Sequence, residues 1–233
     1  NFLHSYDTPE RAYAVVVSGE QAYVADGSEG GLIVLDVANP TVPMVAGSTG
    51  TLGFTKDIAI SGNYAYVVSS TSGGPFVVDI SNPIDPVKIA QYDADGIASD
   101  IAIAGDYAYV AYGADGGLQV VDIKTPSAPL YAGSYETLDS PYGVAVAGDY
   151  AYVADANAGL QVLDISDPTT PLFAGSYNTP GLALDVTISG NYAYVADNDA
   201  GLQVIDITDP TTPVFAGSYD TPGWARSVTV DGD

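Results

Sequence analysis

Three aspartates, Asp57, Asp100 and Asp185, each stand five residues ahead of a glycine (Gly62, Gly105 and Gly190) at the start of a Val/Ile-rich run. Carboxylates brought together from equivalent strands repel one another unless they hold a cation or take up a proton. Hard oxygen ligands of this kind suit calcium. The pattern therefore predicts a calcium site at Asp57, Asp100 and Asp185. The same carboxylates can instead accept hydrogen bonds from water or from the backbone of the next copy. Ala14, Gly143 and Ser227 occupy the equivalent place elsewhere.

Other chemistry is bounded by what the chain lacks. It has no cysteine and a single histidine, His4. Thiol catalysis, thiolate metal sites, imidazole metal sites and Ser-His triads are therefore unavailable. Acidic groups number 29 against five basic ones, a formal net charge of -24. That charge repels nucleic acid and anionic lipid and favours cations. A paired-carboxylate hydrolase has the acids it needs. However, every strong acidic candidate recurs from copy to copy, whereas a catalytic pair is usually singular, so the sequence reads as a non-enzyme with no cofactor other than calcium. No apolar stretch approaches the roughly 20 residues that cross a bilayer as a helix, so membrane insertion is not expected.

The frame holding these residues is a repeat. Gly19, Gly62, Gly105, Gly148, Gly190 and Gly232 are spaced 43, 43, 43, 42 and 42 residues apart. Asp36, Asp79, Asp122, Asp164 and Asp206 keep the same step, each ahead of a pair of prolines such as Pro210 and Pro213. Within residues 183–223 there are four short runs rich in β-branched, aromatic and small residues, bounded by Gly, Pro, Asn and Asp, which are strand signals. No window carries helical spacing. Four antiparallel strands in about 40–45 residues make one propeller blade. Runs such as Ala151–Ala154 are apolar on both faces, as stacked sheets require. A β-sandwich could use the same strands but gives no reason for the period. The expected fold is all-β: a single β-propeller domain over residues 1–233, with five complete four-stranded antiparallel blades and a split sixth.

The split comes from the ends. Residues 2–9, Phe-Leu-His-Ser-Tyr-Asp-Thr-Pro, match residues 215–222 and read as a lone outer strand; residues 225–233 read as an inner strand. The missing second and third strands predict either a longer polypeptide or strands supplied by a neighbouring subunit through β-augmentation. A protein partner or neighbouring subunit is accordingly expected around Phe2–Tyr6 and Trp224–Val230.

The third strands read Leu-Ile-Val-Leu-Asp (32–36), Leu-Gln-Val-Val-Asp (118–122), Leu-Gln-Val-Leu-Asp (160–164) and Leu-Gln-Val-Ile-Asp (202–206). With the preceding Ala-Tyr-Val-Ala and the following Asp-Pro-x-x-Pro, they resemble the LVIVD repeat over nearly the whole chain. That resemblance implies a propeller fold and a secreted or cell-surface location, and it carries no catalytic residues. The second copy departs, with Pro75 in place of the leading Leu and Ala90-Gln91 in place of Gly-Ser, which predicts a distorted third strand.

The remaining candidates read mainly as scaffold. Asp36 to Asp206 can accept backbone N–H bonds and fix the turn that follows. Asp26, Glu29, Asp115, Asp155, Asp197 and Asp199 fall between strands two and three, where they read as hairpin chemistry, with a shared cation- or partner-binding rim as the alternative. The paired tyrosines of strand two are expected to pack between blades, although aromatic stripes also stack on sugars. The function expected is an extracellular structural or protein-interaction scaffold, including one tiled into a filament or coat. The rivals are a carbohydrate- or calcium-binding module and, behind it, a hydrolase.

Overall fold

The computed structural model describes residues 5–50, 52–71, 73–113 and 116–231. Its twenty strands form five four-stranded antiparallel sheets, one per repeat. The first holds β1 (Ala14–Ser18), β2 (Gln21–Asp26), β3 (Gly31–Asp36) and β4 (Met44–Ser48); the second holds β5 (Thr55–Ser61), β6 (Tyr64–Ser69), β7 (Phe76–Asp79) and β8 (Val87–Gln91). The third holds β9 (Ile97–Ala104), β10 (Tyr107–Gly113), β11 (Gly117–Asp122) and β12 (Leu130–Tyr135). The fourth holds β13 (Gly143–Ala147), β14 (Tyr150–Ala154), β15 (Leu160–Asp164) and β16 (Leu172–Tyr177). The fifth holds β17 (Asp185–Ser189), β18 (Tyr192–Ala196), β19 (Leu202–Asp206) and β20 (Val214–Tyr219). Neighbours in each sheet are consecutive in sequence, so every connection within a sheet is a hairpin or short turn. The chain divides into two compact units, residues 1–103 with 123–130, and residues 104–122 with 131–233.

The local reasons are legible in the residues. The β17–β18 hairpin turns at Gly190, whose φ of +55° is a left-handed conformation that glycine adopts without strain. Between strands two and three of the fifth sheet, Asn198 takes φ +49° and Gly201 φ +73°, the residue types such turns favour. The fourth sheet places Ala156 at φ +44° in the same position. It is held there by reciprocal backbone bonds with Ala183 of the next repeat, at 3.2 and 3.0 Å. In the second repeat the third strand starts late, at Phe76; Pro75 has no N–H to give to a ladder but still accepts from Tyr92 N–H at 3.0 Å. Repeat one departs from the all-strand expectation in its β2–β3 connection, a single helical turn over Gly27–Gly30.

A one-residue bulge recurs between the third and fourth strands. Val162 pairs with Gly175 and Leu163 with Phe173, so Ala174 is skipped. Ala46 and Ala216 are skipped in the same way, as is Ile89. Such bulges bend a strand and re-aim its side chains.

Inter-sheet packing is clear within each unit. In the unit containing the first two sheets, Tyr23, Ala25, Leu32 and Val34 pack against Ile58, Ala65, Val67 and Val78. In the other, Tyr152, Ala154, Leu160 and Val162 pack against Val186, Ala193, Val195 and Ile205. In both pairs one face of the earlier sheet, carried by strands two and three, meets the opposite face of the later one. Two places are less covered. Val15 on β1 is 61% exposed where its equivalent Ile58 is 2% exposed, although Val24 and Ile33 on the same face of the first sheet are buried, and Tyr194, Leu202 and Val204 in the fifth sheet are only half-buried where Tyr152, Leu160 and Val162 are buried.

Candidate functional site

The aspartates that opened the sequence reading hold neighbouring strands together. Asp57 Oδ2 accepts the Ile101 N–H at 3.1 Å, and Asp100 Oδ1 accepts the same N–H at 2.9 Å. Two carboxylates from successive repeats thus converge on one amide. Asp185, in the other unit, accepts its neighbour Val186 N–H at 2.8 Å through Oδ1. Its Oδ2 accepts the Ser227 hydroxyl at 2.7 Å and the Val228 N–H at 2.8 Å. Where Gly143 replaces the carboxylate, a Cβ would come within 2.7 Å of the Asp185 backbone, so that first strand approaches its neighbour too closely for a side chain. Among the described residues, no group of three or more acidic or imidazole side chains is arranged to hold a metal ion.

A second set of carboxylates, at the junction of strands two and three, is fully buried: Asp26, Asp155 and Asp197. Each reaches back to the segment that leads into its own repeat. Asp26 Oδ2 accepts the Glu10 N–H at 3.1 Å. Asp155 Oδ2 accepts the N–H groups of Leu138 and Asp139 at 2.9 and 3.0 Å. Asp197 Oδ2 accepts the Gly181 N–H at 2.8 Å, and its Oδ1 accepts the Thr179 hydroxyl at 2.6 Å. The clasps are not equally complete. Thr137, the counterpart of Thr179, gives its hydroxyl to the Asp139 carbonyl, and Oδ1 of both Asp26 and Asp155 has no hydrogen-bond partner. Burial pushes the Asp155 and Asp197 carboxyls above the usual carboxylate range, against the lowering effect of the donors they accept. Sequence reasoning placed these residues in hairpin turns and missed their burial. The available signal was their separation of 16 residues from the loop they grip, repeated in copies one, four and five. Of the other acids in that set, Asp115 and the side chain of Glu29 lie outside the described residues, as do Phe2, Leu3 and His4.

The third-strand aspartates do what their position suggested. Asp36, Asp79, Asp164 and Asp206 accept the N–H two residues on, at 3.0, 2.9, 2.9 and 2.8 Å. The side-chain and backbone groups of Ser81, Ser166 and Thr208 hold the carboxyls of Asp79, Asp164 and Asp206 below the usual range. In the proline turns, Asp167 and Asp209 each accept both hydroxyls of the Thr-Thr pair between the prolines, at 2.7 and 3.0 Å. Of the strand-two tyrosines, Tyr23, Tyr66, Tyr109 and Tyr152 are buried, and desolvation raises the pKa of each. They pack rather than present a surface. Exposed rings include Tyr131, Phe173 and Phe215 on the fourth strands and, on a second strand, Tyr192.

Beside the Asp155 clasp lies a polar cleft of about 340 Å³ lined by Gly117 and residues Glu136 to Ser140. Asp139 lines it, and the Asn157 amide, donating at 2.8 Å, keeps that carboxyl low.

Comparison with solved structures shows the fold. The chain is similar to a functionally unknown protein from Desulfotomaculum acetoxidans, with 15% identity, 91% of this chain and 71% of that one covered, and a TM-score of 0.78. It is similar to the β-propeller domain of Cps50 (Swd1) from Myceliophteria thermophila, with 12% identity, 94% and 74% covered, and a TM-score of 0.74. It also resembles the computationally designed Ika8 protein, with 14% identity and a TM-score of 0.68; 94% of this chain is covered, which spans 64% of the designed one. No curated protein sequence matches. The profile of the LVIVD repeat matches residues 11–51, 52–94, 95–137, 142–179 and 180–221, one match for each four-stranded sheet. With that register of profile on sheet, the chain belongs to the LVIVD-repeat family.

Proposed function

We propose that this chain is a non-enzymatic β-propeller scaffold, a single domain of five complete blades and a split sixth, that presents a repeating surface to protein partners outside the cell. The observation that carries this reading is the use made of its carboxylates. Asp57 and Asp185 bind the next first strand, Asp26, Asp155 and Asp197 bind the incoming loop, and Asp36 to Asp206 bind the turn. Acids that recur once per repeat and accept backbone N–H bonds are framework. The surface location is what the LVIVD resemblance implies, and the acid excess suits it. The split sixth blade rests on the match of residues 2–9 to 215–222 and on the half-buried Val228 that extends from the fifth sheet. Negative-stain images should show discs with a central channel; elongated stacks without a hub would sink this reading.

A second reading, a small-ligand or calcium module, is favoured by the cleft at Glu136 to Ser140 and by the meeting of Asp57 with Asp100. Calcium titration of the wild-type protein and Asp100→Ala separates the two. Heat released by the first and not the second supports calcium at Asp57, Asp100 and Asp185, while identical flat isotherms remove it. A glycan array tests the carbohydrate form of the same reading.

A further inference from the structure

The loops that lead into the fourth and fifth repeats are copies of one another, and they close differently. In the fifth, Thr179 seats against the start of the preceding third strand: a Cβ on Gly159 would lie 2.5 Å from the Thr179 nitrogen. The Thr179 hydroxyl donates to Asp197 Oδ1 at 2.6 Å and completes that buried carboxylate. In the fourth, the equivalent residues are Gly117 and Thr137. A Cβ on Gly117 would meet the Tyr135 carbonyl and, at 3.0 Å, the Glu136 Cα, and no atom of Thr137 comes as near. The loop stands off, and Gly117 and residues Glu136 to Ser140 line the polar cleft of about 340 Å³.

The consequence falls on Asp155. Its Oδ2 accepts the Leu138 and Asp139 N–H groups. By its equivalence with Asp197, its Oδ1 points at Thr137 and the cleft that Thr137 lines. Asp155 is 0% exposed and that oxygen has no hydrogen-bond partner. The hydroxyl that would meet it donates to the Asp139 carbonyl instead, at 3.2 Å. A buried acceptor without a donor is destabilising. Swinging the Thr137 hydroxyl onto Oδ1 would give the clasp seen at Asp197, but the Asp139 carbonyl would then lose its donor. A bound molecule that donates to that carbonyl therefore drives the latch shut.

The walls select the donor. Glu136 and Asp139 bring carboxylates, Thr137 and Ser140 bring hydroxyls, and no basic side chain is among the described residues that line the cleft. The Asn157 amide, at 2.8 Å, keeps the Asp139 carboxyl low and so ionised. The donor is accordingly a cation. Among the described residues no three acidic side chains are arranged to hold a metal ion, and the volume is that of a small organic group. A primary ammonium brings three N–H donors and a positive charge.

We infer that the cleft at Gly117 and Glu136 to Ser140 binds a primary ammonium group, which takes the Asp139 carbonyl and lets Thr137 close on Asp155. The inference rests on the small-ligand reading and names the chemistry of the ligand. A free amine and the side chain of a lysine both carry this group.

Isothermal titration of the whole chain at neutral pH tests it, with 1,5-diaminopentane in one arm and Nα-acetyl-lysine amide in another. Saturable one-to-one binding of the diamine is expected. Binding of the lysine derivative as well would extend the site to lysine side chains, and its failure would confine the site to free amines. Asp155→Asn turns the orphan acceptor into a donor, because the amide oxygen stays on the Leu138 and Asp139 N–H groups. Thr137 then gains nothing by turning, and affinity should fall about ten-fold or more, the usual scale for a charge-assisted hydrogen bond. Asp209→Asn removes the same charge from the proline turn of the fifth repeat and should leave affinity unchanged. Equal losses in the two variants, or none in either, would reduce the binding to attraction by the net charge and overturn the inference. The remaining arms are 1,5-pentanediol and calcium chloride. Binding of either one that Asp155→Asn weakens, with no binding of the amines, would leave the small-ligand reading standing and remove this one; no binding in any arm removes both.

Discussion

The third and fourth strands of a repeat are joined by one short turn and differ sharply in fate. In the fourth repeat, Leu160, Val162 and Leu163 of the third strand are completely buried, while Leu172 and Phe173 of the fourth strand are 61% and 51% exposed. Composition does not separate them, since both runs are apolar. The difference is cover: the third strand lies between two hydrogen-bonded neighbours with a sheet packed on its face, and the fourth is an edge. The same exposed pair recurs as Met44-Val45, Leu130-Tyr131 and Val214-Phe215. Stability therefore resides in the middle strands, and the outer strands are where sequence is free to serve contact.

Leu163→Ala should break that contrast most severely. It opens a cavity in a sealed layer and should cost about 2–5 kcal/mol in urea melts, whereas Leu172→Ala should cost well under about 1 kcal/mol. Equal losses would show that the edge is as tightly bound as the middle. Gly175→Val tests the edge where it does meet a neighbour. The added Cβ collides with the carbonyls of Pro210 and Thr211, and overpacking of this sort costs about 1–3 kcal/mol. A Tm equal to wild type would remove the turn-on-strand contact.

Asp155 sharpens the comparison in a buried place that is polar. Asp155→Ala leaves the Leu138 and Asp139 amides without their acceptor, a loss of about 1–3 kcal/mol. Asp155→Asn keeps an acceptor and removes the buried charge. The folded Asp155 holds its proton more tightly than the unfolded chain does. The penalty of ionising it is thus complete above its raised folded pKa and is relieved as pH falls through that value toward the unfolded one. The Asn variant should gain on wild type at neutral pH, and the advantage should shrink on acidification; a gap that widens as pH falls would contradict the assignment. The smallest effect is expected at Ala156, which holds a left-handed conformation that Asn198 occupies one repeat later. Ala156→Asn should stabilise by several tenths of a kcal/mol, up to about 1, and no gain would mean that the strain is relieved elsewhere.

Much of the fold was written in the spacing. The strands expected around Leu202 and Val214 begin where they were placed, because Gly, Pro and Asp punctuate each run. The turn-fixing role of Asp164 and Asp206 was also legible, since a carboxylate two residues before an exposed amide has a local partner. What escaped was non-local. Asp26, Asp155 and Asp197 look like turn residues until their partners 16 residues upstream are seen. The backbone of the next copy was a legible partner for Asp57, but the convergence of Asp57 and Asp100 on the one Ile101 amide depends on the approach of two repeats, which period alone does not fix. The helical turn at Gly27–Gly30 carries no helical periodicity to detect. The bulge leaves no mark beyond a small residue such as Ala174, because the extra residue changes the pairing without changing the pattern of types.

That skipped residue governs how this architecture can be edited. Removing Ala174 would let the outer strand zip flush against its neighbour, and every side chain on one side of the deletion would trade faces with the other. Gly175 would swing away from the loop that presses on it, and a bulky residue would arrive in its place. A single-codon slip in an outer strand therefore undoes the junction to the following repeat.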